Sequence, residues 1–252
     1  MSHSSSSLNE AGIDVSIIIP TYNEKNNIKP LISRINKVLD SNKIKGEIII
    51  VDDDSPDNTA KFAQQLTSEL NNLKVIVRKN TRGLSSAVVH GFNFASGSIF
   101  VVMDADLSHP PEVIPKLIKP ILSNRAEITI GSRYIRGGGV ENWTLKREVL
   151  SKLSAFLGRL VVFSVTDPMS GFFALKREVI KGVKLNPIGY KIGLEILAKG
   201  NYERISEVPY VFADRKFDKS KLTLSILMTA FVQILLLQTA KNSNIRKGIN
   251  AL

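Results

Sequence analysis

The stretch Val101-Val102-Met103-Asp104-Ala105-Asp106-Leu107-Ser108 decides how this chain is read. An apolar run from Ser98 to Met103 ends abruptly in two carboxylates one residue apart. Side chains along a strand alternate with period two, so Asp104 and Asp106 project to the same side of the strand's carboxyl end. Two hard oxygen donors placed there suit a divalent cation such as Mg²⁺, which can in turn hold a ligand's phosphates. Taken alone, the same residues would also make an ordinary polar turn after a buried strand. The flanking chain favours the first reading.

Towards the amino terminus, Val15 to Ile19 is a short β-branched run, expected to be a strand buried on both faces. It ends in Pro20-Thr21-Tyr22-Asn23-Glu24. Ile28, Leu31, Ile32, Ile35, Val38 and Leu39 then recur at helical spacing. Ile48 to Val51 reads as a second strand, ending in the acidic run Asp52 to Asp57, and Ala60 to Leu70 as a second helix. Val75 to Val77 is a third strand, followed by a helix from Leu84 to Phe94. Beyond the Asp-x-Asp turn, Val113 to Leu122 is a helix that Pro115 and Pro120 shorten or kink, and Glu127 to Ile130 a fifth strand. Strict alternation to residue 131 predicts a parallel sheet with helices on both faces, where ligands bind beyond the strands' carboxyl ends. Three polar or acidic turns occupy those ends. After residue 131 the rhythm breaks: Gly137 to Gly139 reads as a flexible loop, Thr144 to Val165 as helical, and Phe172 to Leu175 and Ile205 to Phe212 as strand-like. This half is expected to bind an acceptor within the same domain.

At 252 residues, 43% hydrophobic and 23% charged, the chain suits one globular domain with a substantial core. Its net charge of +11 points to an anionic partner such as a phosphorylated substrate, an acidic lipid surface or nucleic acid. Cysteine is absent, which excludes disulfides, zinc–thiolate sites and a thiol nucleophile. The three histidines, at 3, 90 and 109, lack metal-ligand spacing. Neither G-x-G-x-x-G nor G-x-x-x-x-G-K-S/T occurs, which disfavours a dinucleotide fold and a phosphate-loop NTPase. Residues 1–14 read as a disordered tail without the apolar centre of a secretory signal.

The motifs together resemble the inverting glycosyltransferases of the second family, with the GT-A fold. They are Ile19-Pro-Thr-Tyr-Asn-Glu24, Val51-Asp-Asp-Asp-Ser-Pro-Asp57, Met103-Asp-Ala-Asp-Leu-Ser-His-Pro110, Gly131-Ser-Arg-Tyr134, Leu145-Lys-Arg147, Asp167-Pro-Met-Ser-Gly-Phe-Phe173 and Asp214-Arg215 followed by Ser220-Lys-Leu222. The first three specify only a sugar nucleotide. The later four are similar to the branch whose acceptor is a polyprenyl phosphate. The resemblance implies a Rossmann-like, mostly parallel sheet in a transferase domain spanning 15–221, with 222–252 as a membrane-associated apolar helix and basic tail. It places the nucleotide sugar against Pro20, Tyr22, Glu24, Val51, Asp53, Asp104, Ala105, Asp106, Ser108, Arg133, Lys191, Arg215 and Lys221. Mg²⁺ or Mn²⁺ would be held by Asp104, Asp106 and Ser108, with Ser108 replaced by glutamine in some relatives. Arg133, Arg147 and Ser151 would meet the acceptor phosphate, and Asp104, Asp106, Arg133 and Arg147 would carry catalysis.

The implied reaction moves mannose from GDP-mannose to dolichyl or another polyprenyl phosphate, the alternative being a UDP-sugar-dependent glucosyltransferase on the same acceptor. Transfer to a carbohydrate hydroxyl would need a general base that the sequence does not identify. Nucleic acid is an unfavoured partner, because no basic–aromatic module is visible. Leu222 to Ala240 is 19 residues without a charge, just long enough to span a bilayer, yet it carries several polar residues and basic flanks on both sides. A helix lying in the interface satisfies both flanks; a spanning helix and a core helix are the other readings. The site is expected on the cytosolic face of a membrane, the endoplasmic reticulum in a eukaryote or the plasma membrane in a prokaryote. Some relatives continue into extra transmembrane helices; because this chain stops at Leu252, any such module is expected to be missing or supplied by a partner such as a small membrane subunit.

Overall fold

The computed structural model describes residues 13–187 and 189–213. Its centre is a seven-stranded sheet in which β1 (Val15–Thr21) pairs with β2 (Gly46–Asp52) on one side and β4 (Ile99–Val102) on the other. β3 (Leu73–Val77) lies outside β2, and all four strands are parallel. The order is β3-β2-β1-β4-β7-β5-β8, where β5 is Ile128–Ser132, β7 Phe173–Lys176 and β8 Ile205–Pro209. The chain therefore winds outward from β1 in one direction and then returns to its other side. Between β1 and β4 the order reverses, and such a switch point opens a crevice at the strands' carboxyl ends. The turns after Thr21 and after Val102 sit there.

The strands at the centre are buried on both faces because alternate residues feed two cores. Ile17, Ile19, Ile48, Ile50 and Val101 pack under α1 (Lys25–Ser41), α2 (Thr59–Leu66) and α4 (Ile114–Leu122). Ile18, Ile49, Val51, Phe100 and Val102 pack under α3 (Leu84–Phe92) and α6 (Ile192–Lys199). Gly91 of α3 is where the helix comes closest to the sheet. A Cβ there would lie 2.6 Å from Ile18 Cγ2 and 3.1 Å from Val51 Cγ2.

As expected, the sheet is mostly parallel, the five strands up to Ser132 running in one direction, with β7 antiparallel between β4 and β5. After Ser132 the chain stays at the carboxyl side of the sheet through β6 (Gly139–Val140) and α5 (Leu145–Arg159), so it must re-enter running backwards. Gly139 is not simply loop: β6 pairs in parallel with β9 (Val211–Phe212) in a small second sheet. The helix expected over Thr144 to Val165 stops at Arg159, and the strand expected over 205–212 divides at Tyr210. At the amino terminus, Asp14 already bonds the Lys45 carbonyl and accepts from the Ile99 N–H. Residues 1–12 and the apolar run 222–240 lie outside the described residues, and among those described no helix is long and apolar enough to cross a membrane.

α5 is the unusual element. Only Ala155 and Gly158 are buried, while Leu145, Val149, Leu153 and Phe156, and then Leu160 and Phe163, are 41–77% exposed. The spacing of Leu145, Val149, Leu153 and Phe156 places these four along one side of the helix, and Leu160 and Phe163 follow past its end.

The tight α3–sheet contact has a measurable consequence. Gly91→Val should lower unfolding free energy by about 2–3 kcal/mol through overpacking, read by urea denaturation. Gly139→Ala, with no atom within 4 Å of the new Cβ, should stay within about 0.5 kcal/mol of the parent.

Candidate active site

The acidic run at 52–57 is mostly structural. The Thr21 hydroxyl donates to Asp52 Oδ2 at 2.8 Å, and Ser55 donates to the same carboxylate through its N–H (2.8 Å) and hydroxyl (2.6 Å). Asp57 accepts from the Lys25 N–H and from the Thr59 N–H and hydroxyl. These bonds tie the β1 and β2 turns together and fix Asn23 in a left-handed conformation, φ 60°. Asp53 alone of this run lines the crevice. It is buried and ion-paired with Arg78 at 2.6 Å, and Oδ2 accepts the Gly83 N–H at 2.8 Å, so it also anchors the loop before α3.

The crevice encloses about 450 Å³, within the range of small-ligand sites. Asp104, Ala105 and Asp106 form one wall beside Pro20, Tyr22 and Glu24. Facing them are Arg133, Arg147, Ser151 and Lys191. Thus eleven of the residues expected from sequence meet in one cavity: Pro20, Tyr22, Glu24, Asp53, Asp104, Ala105, Asp106, Arg133, Arg147, Ser151 and Lys191. Two described ones do not line it. Val51 is wholly buried in β2. Ser108 is wholly buried as well, and its N–H and hydroxyl donate to Asp106 Oδ1 at 3.1 and 2.5 Å, so it orients that carboxylate. Arg215 and Lys221 lie outside the described residues.

The cations are held in different ways. Arg133 grips Asp167 with Nε (2.7 Å) and Nη2 (2.8 Å), and its backbone N–H donates to the same carboxylate. Nη1 stays outside that pair. Burial works against the Arg133 cation, but the bonds to Asp167 outweigh it and raise its pKa above the ordinary arginine value. The peptide N–H groups of Thr166 and Asp167 are in turn held by Glu207. Arg147 stands in the first turn of α5, where Thr144 caps the helix, and its guanidinium lies 4.2 Å from the Trp143 ring centroid. Ser151, one turn further on, accepts from the Tyr134 hydroxyl at 2.7 Å. Lys191 donates to the Met169 carbonyl at 2.9 Å. Burial and then the Arg133 charge pull its pKa down to about 8, against the opposing pull of Asp104 and Asp167. It therefore remains largely protonated at neutral pH, and a bound anion would favour that form further.

Several contributors were not legible in the sequence. Arg82 lies 4.8 Å from the Tyr22 ring centroid and lines the cavity with Gly83, forming a cation–aromatic pair at its rim. Trp143, Leu150, Tyr190 and Phe212 also line the cavity. The only advance signal for Arg82 was a basic residue next to a glycine opening a helix.

Among the described residues, no three His, Cys, Asp or Glu side chains form a ready-made metal cluster. Two carboxylates lining a wet concavity nonetheless fit a hard cation that takes its remaining oxygens from a diphosphate and water.

Residues 16–183 match the family model described as Glycosyl transferase family 2. The chain belongs to this family. Among family 2 relatives, a dolichol-phosphate mannosyltransferase of Pyrococcus furiosus is 54% identical over 211 residues. That match covers 82% of this chain and 59% of the longer relative, so the chain spans under two thirds of its length. A dolichol-phosphate mannosyltransferase of Saccharomyces cerevisiae is 39% identical over 232 residues, covering 88% of this chain and 86% of the relative. In overall shape the chain is similar to glucosyl-3-phosphoglycerate synthase from Mycobacterium tuberculosis, solved with Mn²⁺, UDP-glucose and glycerol 3-phosphate. There the TM-score is 0.64 at 20% identity, covering 91% of this chain and 80% of that one, which speaks for the fold.

The Arg133–Asp167 pair sets a stability test. Asp167→Ala strands a buried guanidinium, so denaturant titration should show a loss of about 3–5 kcal/mol. Asp167→Asn, which retains an acceptor, should lose less.

Proposed function

We propose that this chain transfers mannose from GDP-mannose to dolichyl phosphate, with inversion at the anomeric carbon. The observation that carries the reading is the meeting of Arg133 and Arg147 with Asp104 and Asp106 across one cavity. A hydroxyl acceptor would need its proton removed, whereas a phosphate monoester arrives as an anion and needs charge compensation and aim. Arginine supplies both through its planar fork of donors. The relatives' activity on dolichol phosphate supports the same acceptor.

Asp104 and Asp106 would hold Mg²⁺ or Mn²⁺, with Ser108 fixing the Asp106 carboxylate. A bound cation of this kind neutralises charge developing on the departing diphosphate. Tyr22 and Arg82 offer a surface for the base, while Lys191 and Arg133, whose Nη1 is outside the Asp167 pair, would meet the diphosphate. Arg147 and Ser151 aim the acceptor phosphate. One of its oxygens bonds to the anomeric carbon as the bond from that carbon to the diphosphate breaks, and the electron pair leaves with GDP. No proton need move.

The exposed apolar side of α5 supports action at a membrane surface. Its other side carries Arg147, Leu150 and Ser151 into the cavity, so an acceptor with its tail in lipid would meet these residues directly. The net charge of +11 favours an anionic leaflet. We place the site on the cytosolic side; Arg215 and Lys221 are proposed as further diphosphate contacts, and a small membrane subunit as a candidate partner.

Protein incubated with Mg²⁺ or Mn²⁺, a polyprenyl phosphate and labelled GDP-mannose should yield a mannolipid, whereas UDP-glucose should not. A glucolipid instead, or transfer only to hydroxyl acceptors, would contradict the reading. Arg147→Ala should reduce kcat/KM at least about 100-fold while leaving GDP affinity nearly intact; equal loss of both would remove Arg147 from acceptor capture.

A further inference from the structure

His109 makes no contact with the cavity, yet it approaches Asp104 at two points. The Asp104 N–H is the first beyond the β4 ladder, since Met103 still donates to the Ile18 carbonyl. It donates instead to His109 Nδ1 at 2.9 Å. An accepting Nδ1 carries no proton, so the neutral ring bears its proton on Nε2. Nε2 lies 3.9 Å from Asp104 Oδ2, close to that carboxylate but beyond hydrogen-bond reach.

The surroundings hold the ring in this pose. It stacks on Phe172 at 5.0 Å between centroids, 11° from parallel, and meets the edges of Tyr210 (5.6 Å) and Phe212 (5.7 Å). His109 is 1% exposed. Chain reversal at Leu107, φ 65°, brings the imidazole back beneath Asp104. A left-handed leucine costs about 1–2 kcal/mol, offset here by the bonds that close the loop. Gly171 leaves the needed space, for a Cβ there would sit 3.3 Å from His109 Cε1 and 3.7 Å from each Asp104 carboxylate oxygen.

We propose that His109 is a positioning residue for cation binding: it holds the main chain of Asp104, and so the place from which its carboxylate projects, while adding no charge beside the metal. The proposal rests on Asp104 being a cation ligand. Residues that orient a ligand in this way typically change metal affinity 10–100-fold when replaced.

The test measures Mn²⁺ affinity in the presence of GDP by electron paramagnetic resonance of the free ion. His109→Leu removes both polar atoms, and His109→Gln moves the acceptor away from the Nδ1 position. His109→Asn keeps an acceptor close to it. The Leu and Gln variants should bind Mn²⁺ about 10-fold more weakly or worse, with metal-free GDP affinity unchanged, while loss of the acceptor for the Asp104 N–H lowers the thermal midpoint. The Asn variant should recover most of the loss. Should the Leu variant not fold, the Gln–Asn contrast decides. Wild-type affinity in the Gln variant, or an Asn variant as weak as Gln, would overturn the role of His109. Wild-type protein that takes up no Mn²⁺ with GDP would overturn the cation reading itself.

Discussion

The site depends on how charges of both signs are held within one cavity. Carboxylates end β4 and guanidinium groups face them across about 450 Å³. Arg133 is committed to Asp167, 34 residues away in sequence, in a bidentate pair that neither Asp104 nor Asp106 shares. Since Asp167 itself is wholly buried, the pair draws its strength from a low-dielectric setting and would cost several kcal/mol to break. The segment around Arg133 and Asp167 is thereby held by charge as well as by strand pairing.

The backward strand β7 makes this possible. A purely parallel continuation would carry the chain away from the carboxyl edge after β5. Instead Arg133, Trp143, Arg147 and Asp167 all precede β7 on the side where ligands bind, and β7 then fills the gap between β4 and β5. α5 follows from the same excursion. It has the cavity on one side, and among the described residues no element packs over the apolar residues on the other.

Local patterns in the sequence carried most of the first half. Runs such as Ile48 to Val51 bury both faces, and their period and length distinguish them from the helices that follow. The Asp-x-Asp turn was readable because its chemistry is compressed into three residues. Non-local facts were not readable. That Asp52 and Asp57 hold turns together was hidden, because their partners Thr21 and Lys25 lie 31 and 32 residues away on the neighbouring turn. His109 could be placed beneath Asp104 only once Phe172, Tyr210 and Phe212 were seen to close around it. The exposed side of α5 was likewise hidden, since a helical period shows an apolar stripe without showing what covers it.

The central claim is that a cation held by Asp104 and Asp106 takes up the departing nucleotide's charge while arginines present a lipid-borne phosphate. The most direct measurement is mannolipid formation from GDP-mannose as Mn²⁺ is titrated, in the parent and in the Asp104→Ala, Asp106→Ala double variant. Turnover should rise from near zero with metal in the parent and stay near zero in the variant at every concentration. Full turnover in chelator, or in the variant lacking both acids, would contradict it.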